Sequence, residues 1–202
     1  MDWKKAQSWE RLWWANCVNT LFEEEKQIIY ADKMGLNLVG NEKTPYVIDL
    51  NLNSVLDIGG GACSLLLKCI KGTGVVIDPL PLPEWVIARY KEAGIGFINI
   101  KGEDMFSSRN KLKDMCKDVF DEVWIYNVLQ HTENPKKIIE NALKLGKIVR
   151  IFEWINTPIS DGHINTLTEK ELNSWLGGEG KIETMNKKPT TGIAYYGIFK
   201  GI

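Results

Sequence analysis

The stretch Ser54-Val-Leu-Asp57-Ile-Gly59-Gly60-Gly61-Ala-Cys63-Ser64 limits this chain's fold more than any other segment. A short apolar strand runs into an acid, then a glycine turn, then the apolar run Leu65-Leu66-Leu67. A second strand, Gly74-Val-Val-Ile-Asp78, ends in another acid 21 positions after Asp57. Strand, glycine turn, helix and strand in this order lay out a nucleoside-binding crevice. Glycine has no Cβ, so backbone can approach a ligand closely there. Asp78 stands where one carboxylate can accept hydrogen bonds from both hydroxyls of a ribose.

A dinucleotide fingerprint requires Gly-x-Gly-x-x-Gly. Here Ser64 occupies the third glycine's place. A pyrophosphate beside Asp57 would be repelled, whereas a cation would be favoured. S-adenosylmethionine carries a sulfonium and an ammonium and no phosphate, so an acid-flanked pocket suits it. This argues against a nicotinamide-dependent oxidoreductase.

On these residues the chain resembles the class I S-adenosylmethionine-dependent methyltransferases. Leu56-Asp-Ile-Gly-Gly-Gly61 is similar to that family's first motif, and Asp78 to its ribose-binding acid. Gly102-Glu103-Asp104-Met105 follows a third apolar run and resembles the segment that reads adenine. Phe120–His131 resembles the fourth strand and the loop beside the methyl group. The likeness covers roughly residues 50–200 and departs at Cys63, where many relatives have a further glycine. It implies an α/β fold: an open sheet of about seven strands, mostly parallel with an antiparallel last strand, and helices on both faces. Residues 1–202 are read as one domain, with 1–38 a helical cap and 50–202 the Rossmann-like core.

The resemblance also implies roles. Backbone around Gly59, Gly60 and Gly61 would hold the methionine part of the cofactor, with Asp57 orienting it directly or through water. Asp78, with Pro79 beside it, would hold the ribose. Glu103 or Asp104 would accept from the adenine amino group, with Glu103 favoured. Asn127 would contact the cofactor or fix its loop. Methyl transfer is an in-line displacement, so the protein must align its reactants and, for a hydroxyl acceptor, remove a proton. His131 and His163 are the candidate bases, since imidazole titrates in the useful range. Tyr126, Glu153 and Trp14 are candidate acceptor contacts, and Trp154 a further aromatic wall, because a sulfonium is stabilised over aromatic faces.

Composition narrows the function further. A net charge of −1 gives no electrostatic footprint for nucleic acid or an anionic membrane. The four cysteines, Cys17, Cys63, Cys69 and Cys116, have no metal-ligand spacing with the two histidines and read as reduced thiols. No resident metal is expected. The charged start Asp-Trp-Lys-Lys does not read as a signal peptide, and no apolar run reaches the ~18 residues of a membrane span. A cytoplasmic enzyme is expected, of unspecified oligomeric state. Residues 126–130 lack an Asn/Asp-Pro-Pro-aromatic motif and the chain lacks Pro-Cys. Both absences argue against the common DNA base methylations. The expectation is methyl transfer to an oxygen or nitrogen of a small or sugar-like molecule. The alternatives are a macromolecular acceptor and a non-catalytic cofactor-binding module.

Local signals place the elements. Trp9, Leu12 and Trp13 share one face of a first helix and are expected to pack inward. Thr20-Leu-Phe-Glu23 is a capping box that would open a second helix, closed by Gly35. Residues 36–52 read as a loop with one short strand. Strands are expected at 53–57, 74–78, 96–100, 121–126 and 147–154. Helices are expected at 62–71, 84–93, 107–117, 134–145 and 168–176. A terminal hairpin, 181–185 with 194–200, would turn at Pro189-Thr-Thr-Gly192.

Overall fold

The computed structural model describes residues 3–15, 17–40, 47–107 and 119–201. The apolar runs become the middle of a seven-stranded sheet. In chain order its strands are β3 (Ser54–Ile58), β5 (Thr73–Ile77), β6 (Gly96–Ile98), β7 (Phe120–Tyr126), β8 (Gly146–Ile155), β9 (Lys181–Lys187) and β10 (Thr190–Lys200). Every residue of β3 is buried, the pattern of a central parallel strand covered on both faces. Full burial of side chains such as Val55, Leu56 and Ile58 contributes roughly 1.5–3 kcal/mol each, which fixes this strand at the centre.

The strand order is β6-β5-β3-β7-β8-β10-β9. The pairs β3–β5, β3–β7, β5–β6 and β7–β8 are parallel. The hairpin strand β10 inserts antiparallel between β8 and β9, as expected. Three shorter strands, β1 (Leu38–Val39), β2 (Val47–Asp49) and β4 (Cys69–Ile70), form a separate small sheet.

The helices are α1 (Trp3–Trp14), α2 (Cys17–Lys33), α3 (Glu84–Glu92), α4 (Pro135–Leu145) and α5 (Glu169–Leu176). One face of the large sheet buries Ile138, Ile139 and Leu145 of α4 with Leu172 and Leu176 of α5. The other buries Tyr30, Ala31 and Met34 of α2 with Val86 and Tyr90 of α3. Local chemistry sets several boundaries. The Asn134 side chain accepts from the Lys137 N–H, with Pro135 at the first helical position. Thr168 and Glu171 form a complete capping box, and Gly177 at φ +68° closes α5. Gly35 ends α2 at φ +67°, where the Leu36 N–H donates back to the Ala31 carbonyl.

Four expectations are corrected. The helix expected over 62–71 is one 3₁₀ turn, Leu65–Lys68, followed by β4. Tertiary partners hold it so: the Ser64 hydroxyl binds Asp57, the Tyr126 hydroxyl accepts from the Leu65 N–H, and β4 pairs with β2. The helix α2 begins at Cys17, so Thr20 lies inside it, and Glu23 pairs with Lys26 at 2.6 Å. In α1 the expected inward face is split: Leu12 is turned out, 74% exposed, while Trp9 and Trp13 border the cavity described below and Ala6 is fully buried. The hairpin turns at Lys188-Pro189, and Thr190, Thr191 and Gly192 already belong to β10. The helix expected at 107–117 and Cys116 lie outside the described residues, apart from Ser107, which falls in a turn. Cys63 and Cys69 are free thiols. Among the described residues no helix is long and apolar enough to cross a membrane.

Candidate functional site

From β3 the chain winds outward to β5 and β6, then returns to place β7 on the other side of β3. That reversal opens a crevice at the carboxyl ends of the parallel strands. A cavity of about 440 Å³ lies there, floored by Gly59, Asp78 and Asn127 and roofed by Trp3, Gln7, Glu10, Trp13 and Trp14 of α1. Trp9 and Trp154 also line it.

Asp57 and Asp78 follow different designs. Asp57 is fully buried and does not line the cavity. Its Oδ2 accepts from the Ser64 hydroxyl and, at 2.6 Å, from the Tyr126 hydroxyl. Burial pushes its pKa up to about 6, against the pull of those two hydrogen bonds. Asp78 lines the cavity. Its Oδ1 accepts from the Leu80 N–H at 2.8 Å and its Oδ2 from the Gly61 N–H at 3.1 Å. Each carboxylate oxygen has two lone pairs, so the carboxylate keeps acceptor capacity. Burial raises its pKa to about 7; the Leu80 and Gly61 N–H groups oppose the rise and the charge of Glu10 adds to it.

Gly59 has φ +73°, and a Cβ there would overlap Val128, so the first turn meets the loop after β7 closely. Gly61 has φ +57°, and a Cβ there would lie 3.1 Å from the Trp14 ring, so α1 rests on the turn. The Tyr90 hydroxyl donates to the Gly61 carbonyl at 2.6 Å.

The loop after β7 is held from below. Glu153 of β8 is fully buried, and its Oε1 accepts from the Val128 and Leu129 N–H groups, each at 3.0 Å. Burial raises its pKa to about 7, against those N–H groups and the charge of His131. Asn127 takes φ +52° and accepts from the Gln130 side-chain amide at 2.9 Å. The 156–168 segment is pinned to this loop through Ile164 and Asn165 N–H bonds to the Gln130 carbonyl. His163 is thereby brought beside His131, with ring centroids 4.8 Å apart.

His131 Nδ1 lies 2.7 Å from Glu10 Oε1 and 2.7 Å from the Gly162 carbonyl. Burial lowers its pKa, but the charge and hydrogen bond of Glu10, the Gly162 carbonyl and the charge of Glu153 outweigh this and raise it overall. His163 is pushed down to about 4 by burial and by the charge of His131.

The cavity thus brings together Gly59, Asp78, Pro79, Glu103, Asn127, His131, His163 and Trp14 from the sequence-derived set. Gly60 and Gly61 lie in the adjoining turn but do not line it. Asp104 is exposed on the 3₁₀ turn Gly102–Asp104, away from the cavity. Glu103 Oε1 accepts from the Asn134 N–H at 3.0 Å, tying the 3₁₀ turn to the start of α4. Tyr126 and Glu153 are structural ties beneath the cavity rather than part of its wall. Glu10 and Lys101 were missed from sequence. For Glu10 a signal existed: Trp3, Gln7, Glu10 and Trp14 recur at helical spacing, a second stripe beside Trp9, Leu12 and Trp13.

No protein-family model matches this chain, and no curated protein sequence does. Solved structures do match. The N-methyltransferase NodS from Bradyrhizobium japonicum WM9, in complex with S-adenosyl-L-homocysteine, is similar at a TM-score of 0.61 and 15% identity over 98% of each chain. The plantazolicin methyltransferase BpumL, in complex with the same compound, is similar at 0.51 and 14% over 98% of this chain and 94% of that one. The cyclase SpnF is similar at 0.52 and 16% over 76% of this chain and 55% of that one. At these identities the likeness is one of architecture: the chain has the class I methyltransferase fold.

Proposed function

We propose that this chain, with its class I methyltransferase fold, is an S-adenosylmethionine-dependent methyltransferase acting on an oxygen or nitrogen of a small molecule. The observation that carries this reading is Asp78: a buried carboxylate at the end of β5, facing the cavity with acceptor capacity left, beside the positive-φ turn Gly59–Gly61. Such a group suits the two hydroxyls of a ribose. The fold itself hosts other chemistry, so the site must carry the argument.

The residues present fit the cofactor. Asp78, with Pro79 and Leu80, would hold the ribose, and Gly59 would let the backbone close on the ligand. Glu103 would take the adenine end. Trp14, on the glycine turn, offers an aromatic face to a cation. Asp57 acts through the turn, fixing Ser64 and Tyr126, without touching the ligand. When bound, S-adenosylmethionine supplies an electrophilic methyl group on a positively charged sulfur. His131 accepts the acceptor's proton, and the tryptophans of α1 exclude water around it. The cavity's size lies within the ~300–1,000 Å³ of small-molecule sites, as the cofactor requires, and the net charge of −1 favours a small acceptor over a nucleic acid.

Titration calorimetry with S-adenosylhomocysteine tests the reading. Binding in the micromolar range is expected. No heat up to about 1 mM ligand, a binding energy of only about 4 kcal/mol, would reject it. Binding without turnover across a panel of amine and hydroxyl acceptors would favour a non-catalytic module instead.

A further inference from the structure

The two histidines face the same cavity but stand in unequal surroundings. His163 has His131 beside it and no carboxylate within salt-bridge distance among the described residues. His131 Nδ1 has two acceptors at 2.7 Å, Glu10 Oε1 and the Gly162 carbonyl. Two acceptors at one ring nitrogen require the proton to sit on Nδ1. The Gln130 side-chain amide nitrogen, a donor, lies 3.4 Å from Nε2. Nε2 is therefore the lone-pair nitrogen of the neutral ring.

Glu10 and His131 come from different parts of the fold. His131 follows β7, on a loop held by Glu153 of β8. Glu10 rides on α1, whose seat on the body is visible in three contacts. The Lys101 ammonium lies 3.8 Å from the centre of the Trp3 ring. Trp14 packs on Gly61 and Trp9 on Gly162. The Glu10 and His131 side chains are only 13% and 14% exposed, so their contact is shielded from solvent, unlike an ordinary surface ion pair.

We infer that Glu10 is the positioning residue of a Glu10–His131 pair, in which its carboxylate fixes Nδ1–H and leaves Nε2 to take the acceptor's proton, so that docking of α1 completes the base. This rests on the proposed methyltransferase reading. In the step, the acceptor's X–H bond breaks and its electron pair stays on X. The Nε2 lone pair binds the proton, and the resulting imidazolium is neutralised by Glu10. The other groups facing His131 are Glu153 from β8 and His163 from the 156–168 segment. Glu10 is the one among them in direct contact with Nδ1.

The 202-residue chain allows a direct test, because it has two histidine rings to resolve by nitrogen-15 NMR, with His163→Asn assigning them. In the unsubstituted protein at high pH, His131 is expected as the Nδ1–H tautomer. Its titration midpoint should lie above that of an ordinary imidazole and fall in Glu10→Gln, which keeps side-chain shape but removes the charge. A dominant Nε2–H tautomer in the unsubstituted protein overturns the inference even if Glu10→Gln does not fold. So does a folded Glu10→Gln protein with an unmoved His131 midpoint. The methyltransferase reading fails separately, through absent S-adenosylhomocysteine binding, which leaves the histidine titration readable.

Discussion

The carboxyl ends of β3 and β5 lie side by side in the sheet, and each has a buried acid, Asp57 within β3 and Asp78 just past β5. They nonetheless do opposite work. Asp57 turns inward, where Oδ2 ties the glycine turn to Ser64 and to Tyr126 of β7. Asp78 is held by backbone N–H groups alone and faces the cavity. Two similar acids on adjacent strands thus divide into an anchor of the fold and a cavity-facing group. Their hydrogen-bond partners make the division.

Four measurements would break or sharpen this contrast. The largest expected effect is that of Asp57→Ala on folding. It strands the buried Ser64 and Tyr126 hydroxyls, and a loss of about 3 kcal/mol in urea unfolding is expected. A loss below ~0.5 kcal/mol would mean that Asp57 anchors nothing.

Asp78→Ala should show the reverse pattern. Two lost charge-assisted hydrogen bonds would weaken S-adenosylhomocysteine binding by about 100-fold, or ~2.7 kcal/mol. The Leu80 and Gly61 N–H groups lose their acceptor, so a stability loss of about 1–2 kcal/mol is also expected, smaller than that of Asp57→Ala. Intact affinity would remove Asp78 from the ligand site.

The third measurement is pH dependence. Asp57, Asp78 and Glu153 have folded pKa values raised to about 6, 7 and 7, so the stability they contribute is full below the ordinary carboxylate range and lost as pH rises through 6–7. His131, also raised, adds in the same direction. His163, lowered to about 4, opposes them, since its contribution is present above the ordinary imidazole value and lost as pH falls toward 4. The melting temperature is therefore expected to be higher at pH 5 than at pH 8. Ligand affinity should rise across pH 7, as Asp78 ionises. A melting temperature higher at pH 8 would refute the burial argument for the three acids.

The smallest effect belongs to a site at neither strand end. Thr168→Ala removes the cap of α5 and should cost about 1 kcal/mol of stability. Calorimetry should find ligand affinity unchanged, and a change would show that the cap and the cavity are coupled.

Legibility followed range. Asn134-Pro135, the Thr168–Glu171 box and Gly35 act within one helical turn, and each set its boundary as read from the chain. Thr20–Glu23 carried the same pattern but fell inside a helix that starts three residues earlier, because a capping pattern does not exclude continued helix. In the site, Asp78 and Gly59 were legible from the strand–turn–strand spacing. Glu10 had only the stripe Trp3, Gln7, Glu10 and Trp14 to mark it, and nothing near it in sequence says which distant residue that stripe meets.

By itself, then, the sequence determined the parallel core, the antiparallel closing hairpin, the two acid-ended strands and the glycine turn, because continuous apolar runs, alternation and glycine freedom act over a few residues. Only the tertiary structure decided that α1 turns Glu10 inward and Leu12 outward, that the run after Gly61 stops at one 3₁₀ turn, and that Tyr126 serves Asp57 rather than the cavity. Each of these is settled by burial and hydrogen bonding between segments distant in the chain, where the partner rather than the local pattern sets the energy.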